Sequence, residues 1–215
     1  NQNMEIIAVD MNGNIHAFDL NLFSKNGFPL SVKAKTSVLS INLLDDKKRE
    51  LVYQNNNGEI IVGKKPEDIN PDVDGNLHPV YINTMSGKID GYAIPISGKG
   101  LWSTLYGYFA VEADGATAKG ITFYKHGETP GLGGEVEKSW FRNNFKGKRF
   151  IDSSGELIGI QAIKGTVDES SSEAYHQVDG LSGATMTAKG LNSFLLQDLK
   201  TYEPFFQQIR SRKGT

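Results

Sequence analysis

The chain has 215 residues, with 23 Lys and Arg against 25 Asp and Glu, a net charge of −2 and no cysteine. That balance leaves no electrostatic footprint for nucleic acid, and the missing cysteine excludes disulfides, thiolate metal sites, iron–sulfur clusters and cysteine nucleophiles. No run of 18 apolar residues is present to cross a membrane, while 11 Phe, 8 Tyr and 2 Trp supply surface for a buried core.

In chain order, Met4–Val9 and Ile15–Phe18 flank the turn residues Asp10–Asn14 and predict a hairpin. Val38–Leu44 and Glu59–Val62 are strand candidates, with Asn55–Gly58 as a turn and Pro66–Gly75 as a surface loop. Val80–Asn83, Ile89–Ile96, Leu105–Val111 and Ala118–Tyr124 are rich in β-branched and aromatic residues, and glycine-containing joints separate them. With no helical pattern between them, they predict an antiparallel sheet. A helix is expected over Gly134–Phe145, with Val136, Trp140, Phe141 and Phe145 as its apolar side and Gly147 as its stop. Phe150–Val167 reads as a strand hairpin about Ser153-Ser154-Gly155, leading to a polar Asp168–Glu173 loop. A second helix starts near Thr185–Lys189 and carries Leu191, Phe194, Leu195 and Leu199 at helical spacing, with a further amphipathic piece over Pro204–Arg212. The expected fold class is α+β, an antiparallel sheet flanked by a few helices. One domain over 1–215 is expected, with a strand-rich part at 1–79 and the functional core at 80–215.

The segment with most chemistry is Asp179-Gly180-Leu181-Ser182-Gly183-Ala184-Thr185-Met186-Thr187-Ala188-Lys189-Gly190. It is a loop of small and hydroxylated residues entering a helix N-terminus, where free N–H groups and the helix dipole favour an anion such as phosphate. Ser and Thr are also good N-caps, so a capping role and an anion site both stand open on composition.

The order of residues goes further. Asp179 to Thr187 resembles the flavinylation motif Asp-x-x-(Ser/Thr)-Gly-Ala-Thr-x-Thr of the FMN-binding domain family, matching every specified position. The resemblance implies FMN joined to Thr187 by a phosphoester, installed from FAD by a separate magnesium-dependent flavin transferase. It implies that Ser182, Gly183, Ala184, Thr185 and Lys189 hold the phosphate and ribityl chain, and that Asp179 serves flavinylation. Gly98–Tyr108 and His126–Gly134 are similar to blocks of the C-subunit family of sodium-translocating NADH:quinone oxidoreductases, and the likeness runs over roughly residues 80–205. In that setting Leu101, Trp102 and Leu132 are expected to flank the flavin ring. Ser103, Thr104, Glu128 and Thr129 are its expected polar contacts, and the Leu132-Gly133 turn presents backbone groups. Core burial of Trp102, Tyr106 and Tyr108 stands beside this as the stronger expectation for all three, most of all for the tyrosines.

By the same resemblance the function is electron transfer as one subunit of a membrane complex. The domain would face the periplasm on an N-terminal transmembrane helix that precedes Asn1, with the other subunits and the transferase as partners. The Glu-Thr-Pro-Gly-Leu-Gly run at 128–133 also occurs in the G subunit of the related Rnf ion-pumping complex, which is one alternative. A flavin-free binding module with the same fold is another. No metal site is expected, because His126-Gly127-Glu128 lacks helical ligand spacing and further ligands. A His176, Asp179, Ser182 triad is not expected without a G-x-S-x-G elbow.

Overall fold

Alternation along Leu105–Val111 sets the two faces of the main sheet. Leu105, Gly107, Phe109 and Val111 are buried, while Tyr106, Tyr108 and Ala110 point to the other, more open face. This strand belongs to a computed structural model that describes residues 6–9, 14–18, 30–31, 47–70 and 74–213. Contacts divide the chain into two units, Asn1–Leu39 with Lys65–Glu67, and Ser40–Lys64 with Asp68–Thr215.

In the first unit β1 (Ile6–Val9), β2 (Asn14–Phe18) and β3 (Leu30–Ser31) form an antiparallel sheet, with Val9 opposite Ile15 as the hairpin reading requires. The strand expected over Val38–Leu44 lies outside the described residues.

The second unit holds a six-stranded antiparallel sheet in the order β5-β4-β6-β7-β8-β9. Its strands are β4 (Lys47–Gln54), β5 (Ile60–Ile61), β6 (His78–Met85), β7 (Lys88–Lys99), β8 (Thr104–Glu112) and β9 (Ala118–Lys125). The tight Ser86-Gly87 turn between β6 and β7 has both residues at positive φ, 50° and 75°, which matches the twist of a two-residue hairpin. No strand is expected at β4 from the sequence, because its Lys47-Lys48-Arg49-Glu50 start hides the apolar Leu51-Val52-Tyr53 that follows. Pairing with β6, from Lys47 opposite Met85 to Gln54 opposite His78, makes the strand, and tertiary pairing overrides composition here.

The sheet's buried face packs on one long helix, α2 (Thr185–Lys213), which follows a short α1 (Ser139–Asn143). Ala188, Leu191, Leu195, Leu199, Tyr202, Phe206 and Ile209 form a continuous buried stripe on α2. They meet Val80, Ile94, Leu105, Phe109 and Phe150 in one core, where each fully buried Leu or Phe contributes about 1.5–3 kcal/mol. Gly190 lets the helix come this close. A Cβ there would stand 2.2 Å from the Lys99 carbonyl oxygen.

Three element expectations are corrected. Pro204 does not begin a separate piece but lies inside α2. The buried stripe runs on past it, Gln54 Nε2 donates to the Thr201 carbonyl at 2.9 Å, and the Asn55–Gly58 turn packs against Pro204 itself. The helix expected over Gly134–Phe145 is broken. A 3-10 turn spans Gly133–Glu137, Lys138 is extended at ψ 145°, and α1 starts after it. That break turns Trp140 outward, 46% exposed, while Val136, Phe141 and Phe145 stay buried. The Phe150–Val167 hairpin is reduced to one bridge, Ile151 to Leu157. Beyond it β10 (Gln161–Ala162) instead pairs in parallel with β11 (Gln177–Val178). Among the described residues no helix is long and apolar enough to cross a membrane.

Candidate functional site

Three segments far apart in sequence meet at the β7–β8 end of the sheet. They are the Lys99–Thr104 turn, the His126–Gly134 stretch after β9, and the first turn of α2. Close approach of Gly190 to Lys99 and Gly100 sets the helix start beside the turn. Gly98 makes a similar close approach, to Phe194. Neither glycine stood out in the sequence reading as positioning the site, although a glycine inside a helix is a signal of close packing.

Glu128 ties the three together. Its carboxylate Oε1 accepts the Trp102 N–H at 2.9 Å, the Ser103 N–H at 3.0 Å and the Ser103 hydroxyl at 3.3 Å. Its Oε2 accepts the Leu101 N–H at 3.2 Å and the Thr187 hydroxyl at 2.6 Å. Three successive backbone N–H groups thus converge on one anion, a nest that the chain fills with its own carboxylate. Burial acts to raise the Glu128 pKa, but the donors from Thr187, Ser103, Trp102 and Leu101 outweigh it and hold the group below the usual glutamate range. It is therefore ionised at neutral pH. His126 supports the arrangement, since its Nδ1 accepts the Glu128 N–H at 3.2 Å and its Nε2 stands 3.4 Å from Glu137.

Thr187, the third residue of α2, is 1% exposed. A Cβ at position 133 would stand 2.5 Å from its Oγ1 and 2.7 Å from Glu128 Oε2, so only glycine fits at Gly133. Leu132 leans against Gly183, where a Cβ would stand 2.9 Å from its Cδ2. The Ala184 carbonyl accepts the first helical bond, from the Ala188 N–H at 3.1 Å, so Ala184 is the N-cap. Its side chain offers no hydroxyl, so the loop does not use a Ser or Thr at the cap position, and first-turn N–H groups of α2 lack helical partners.

The other predicted residues fall into two sets. Ser182, Gly183, Thr185, Leu101, Trp102, Leu132 and Thr129 are exposed around Thr187 and Glu128, with Ser103 and Thr104 half-buried. The Thr129 carbonyl accepts the Leu132 and Gly134 N–H groups and so shapes the turn over Thr187. Lys189 is exposed and sits two residues past Thr187, rotated by about 200° around the helix. Asp179 lies apart from Glu128, where its Oδ1 accepts the Val167 N–H at 2.8 Å and braces the loop before the helix. The core reading of Trp102 and the tyrosines is corrected. Trp102 is 67% exposed. Tyr106 and Tyr108 stand on the open sheet face against Tyr124, because Leu105 and Phe109 take the inward positions.

These residues fit a flavin nucleotide held through phosphate. An anion borne by Thr187 would lie at the start of α2, where free N–H groups and the helix dipole favour negative charge. Gly133 packs against Oγ1 more closely than any side chain could, and the exposed Leu101, Trp102, Leu132 and Met186 offer apolar contact to a flat ring.

Comparison with known proteins identifies an FMN-binding fold. The model of the FMN-binding domain matches residues 100–199, which contain the three segments apart from Lys99. The C subunit of the Na(+)-translocating NADH-quinone reductase of Pseudomonas aeruginosa is 50% identical over 116 residues, covering 54% of this chain and 44% of the relative. That of Yersinia pestis is 44% identical over 138 residues, covering 63% and 50%. The chain spans about half the length of these curated relatives. Among solved structures, the same subunit from Parabacteroides distasonis superposes with a TM-score of 0.63 at 35% identity, covering 73% of this chain and 77% of that one. NqrC of Shewanella oneidensis gives 0.65 at 31% identity, covering 76% and 84%. With its antiparallel sheet, its C-terminal helix and the matched segments around Thr187, the chain belongs to the FMN-binding domain family, in the line of the C subunits of the Na(+)-translocating NADH-quinone reductases.

Proposed function

We propose that this chain carries FMN joined to Thr187 by a phosphoester and acts as the electron-transferring C subunit of a Na(+)-translocating NADH-quinone reductase. The observation that carries the reading is the Thr187 hydroxyl itself, in a fully matching motif, bonded to an ionised carboxylate and covered only by a glycine. The bound group would supply one-electron redox chemistry, which the chain's own side chains cannot. Ser182 to Thr185 and the first-turn N–H groups would hold the phosphate and ribityl chain, with Lys189, on the far side of the helix, adding positive charge only at a distance. Leu101, Trp102 and Leu132 would flank the ring, and the Glu128 network would keep the Leu101–Ser103 turn rigid beneath it. The same reading includes a membrane anchor preceding this segment, a periplasmic position, the other subunits of the complex as redox partners, and a magnesium-dependent flavin transferase that loads Thr187.

The test is the intact mass after co-expression with an active flavin transferase. The expected gain is FMN less one water, lost in Thr187→Ala. An unchanged mass in the presence of a transferase that labels a control acceptor overturns the reading.

A further inference from the structure

We infer that Glu128 is a catalytic residue for loading of this chain, taking up the proton of the Thr187 hydroxyl as its oxygen is joined to the flavin phosphate. The inference rests on the reading that Thr187 is the attachment point.

The geometry is that of a held nucleophile. A secondary alcohol attacks phosphorus poorly unless its proton has an acceptor and its oxygen a fixed position. Here the hydroxyl donates to Glu128 Oε2 at 2.6 Å, so the proton is already directed at a carboxylate and the oxygen's lone pairs are left free. The carboxylate cannot swing away easily, because the Leu101, Trp102 and Ser103 N–H groups pin both of its oxygens. Those donors also keep it ionised, hence able to accept. No other carboxylate or imidazole hydrogen-bonds Thr187 among the described residues, and the nearby His126 spends its Nδ1 on the Glu128 N–H.

The step balances without any change of oxidation state. Thr187 Oγ1 forms a bond to the flavin-side phosphorus of a flavin dinucleotide, and the pyrophosphate P–O bond to the adenosine phosphate breaks. AMP leaves with the electron pair of that bond, and the hydroxyl proton passes to Glu128. Because Thr187 is 1% exposed beneath Gly133, loading also requires the Gly131–Gly134 stretch to move off Oγ1.

The experiment is a time course of mass gain by the purified chain with flavin transferase, FAD and magnesium, for the parent, Glu128→Gln and Lys99→Met. Glu128→Gln keeps the size and an acceptor for the turn but no longer takes a proton. Lys99→Met cuts a separate tie to the same turn, from Lys99 Nζ to the Trp102 carbonyl, and leaves the Glu128–Thr187 pair alone. The expected result is a fall of about 100-fold or more for Glu128→Gln, within the usual range for a lost proton acceptor, and a change within about threefold for Lys99→Met. Glu128→Gln labelled at the parent rate overturns the inference, and so does Lys99→Met slowed as far as Glu128→Gln, since the loss would then follow turn order. A parent chain that gains no mass removes the Thr187 reading and this inference together. A parent and Glu128→Gln that gain mass equally fast remove the inference alone.

Discussion

Glu128 and Asp198 are carboxylates partly withdrawn from water, one packed against the start of α2 and the other within that helix, and burial pushes on each in the same direction, yet they titrate in opposite ones. Glu128 accepts five hydrogen bonds, from Leu101, Trp102, the Ser103 backbone and hydroxyl, and Thr187, and lies below the usual range. Asp198 is pushed up to about 6 by burial, which the Ser97 N–H at 2.9 Å only partly offsets. Its charge also helps to raise the neighbouring Tyr202, itself buried with its hydroxyl donating to the Pro79 carbonyl. The comparison teaches that donor count, more than depth, decides whether a carboxylate beside this helix stays charged. It also separates a site from a cost. The protein surrounds the charge it uses and leaves the other nearly bare.

The largest way to break the contrast is Glu128→Ala. Three backbone N–H groups and the Thr187 hydroxyl then lose their acceptor, and the expected loss is on the order of 3–5 kcal/mol in urea unfolding at pH 7. Because the folded pKa of Glu128 lies below its unfolded value, its contribution is complete above about pH 4 and fades as pH falls through the folded value. The parent and variant curves should therefore converge in acid. A constant gap down to low pH would mean that the carboxylate's charge is not what the network uses.

Next in size is Gly190→Ala, which drives a Cβ to 2.2 Å from the Lys99 carbonyl oxygen. Backbone stands on the other side, so the helix start has to lift from β7 at a cost of about 2 kcal/mol, even after the gain in helix propensity. Lifting withdraws the Thr187 donor, so the Glu128 carboxyl should titrate higher by NMR while Asp198 moves less. Equal shifts at both groups would show that the start and the middle of α2 are not independent.

Asp198→Asn goes the other way. A folded pKa raised to about 6 means the folded chain holds this proton more tightly than the unfolded one. The group's favourable contribution is complete below about pH 4 and is lost as pH rises through about 6, leaving a penalty at neutral pH. Asn can still accept the Ser97 N–H without a charge, so the variant should be more stable at pH 7 by about 1–2 kcal/mol, and flat where the parent declines between about pH 4 and 6. A variant less stable at pH 7 would show that the Asp198 charge has a partner worth more than its burial.

Much of this is legible in the sequence, but piecewise. Thr187 and Glu128 each lie in a recognisable run, and the alternating strands from Val80 to Tyr124 fix the sheet's character. That the two residues bond across 59 positions is not legible, because spacing carries no information about which loops share one end of a sheet. Asp198 reads as an ordinary polar position on a helix until the sheet edge at Ser97 covers it. Trp102 fails for the opposite reason. An aromatic residue is expected inside, yet here the turn is pinned by its own backbone N–H groups and turns the indole out. Pro204 misleads because the apolar stripe continues past it and the Asn55–Gly58 turn, distant in sequence, packs against it.

The smallest perturbation gives the finest reading of the comparison. Thr187→Val keeps the shape of the side chain and deletes one of the five donors to Glu128, without touching the nest of backbone N–H groups. A single hydrogen bond to a charged group is worth about 1.5–3 kcal/mol, but valine recovers some of that through apolar contact in a buried position, so the net loss should be about 1 kcal/mol. The Glu128 carboxyl should titrate higher than in the parent, since Thr187 is the strongest of the donors that lower it, and still stay well below Asp198. A Glu128 value that climbs to that of Asp198 on losing this one donor would assign the whole effect to the hydroxyl and none to the nest. A value that does not move would assign it to the nest alone, and would leave the 2.6 Å contact as a bond that positions Thr187 without holding the charge.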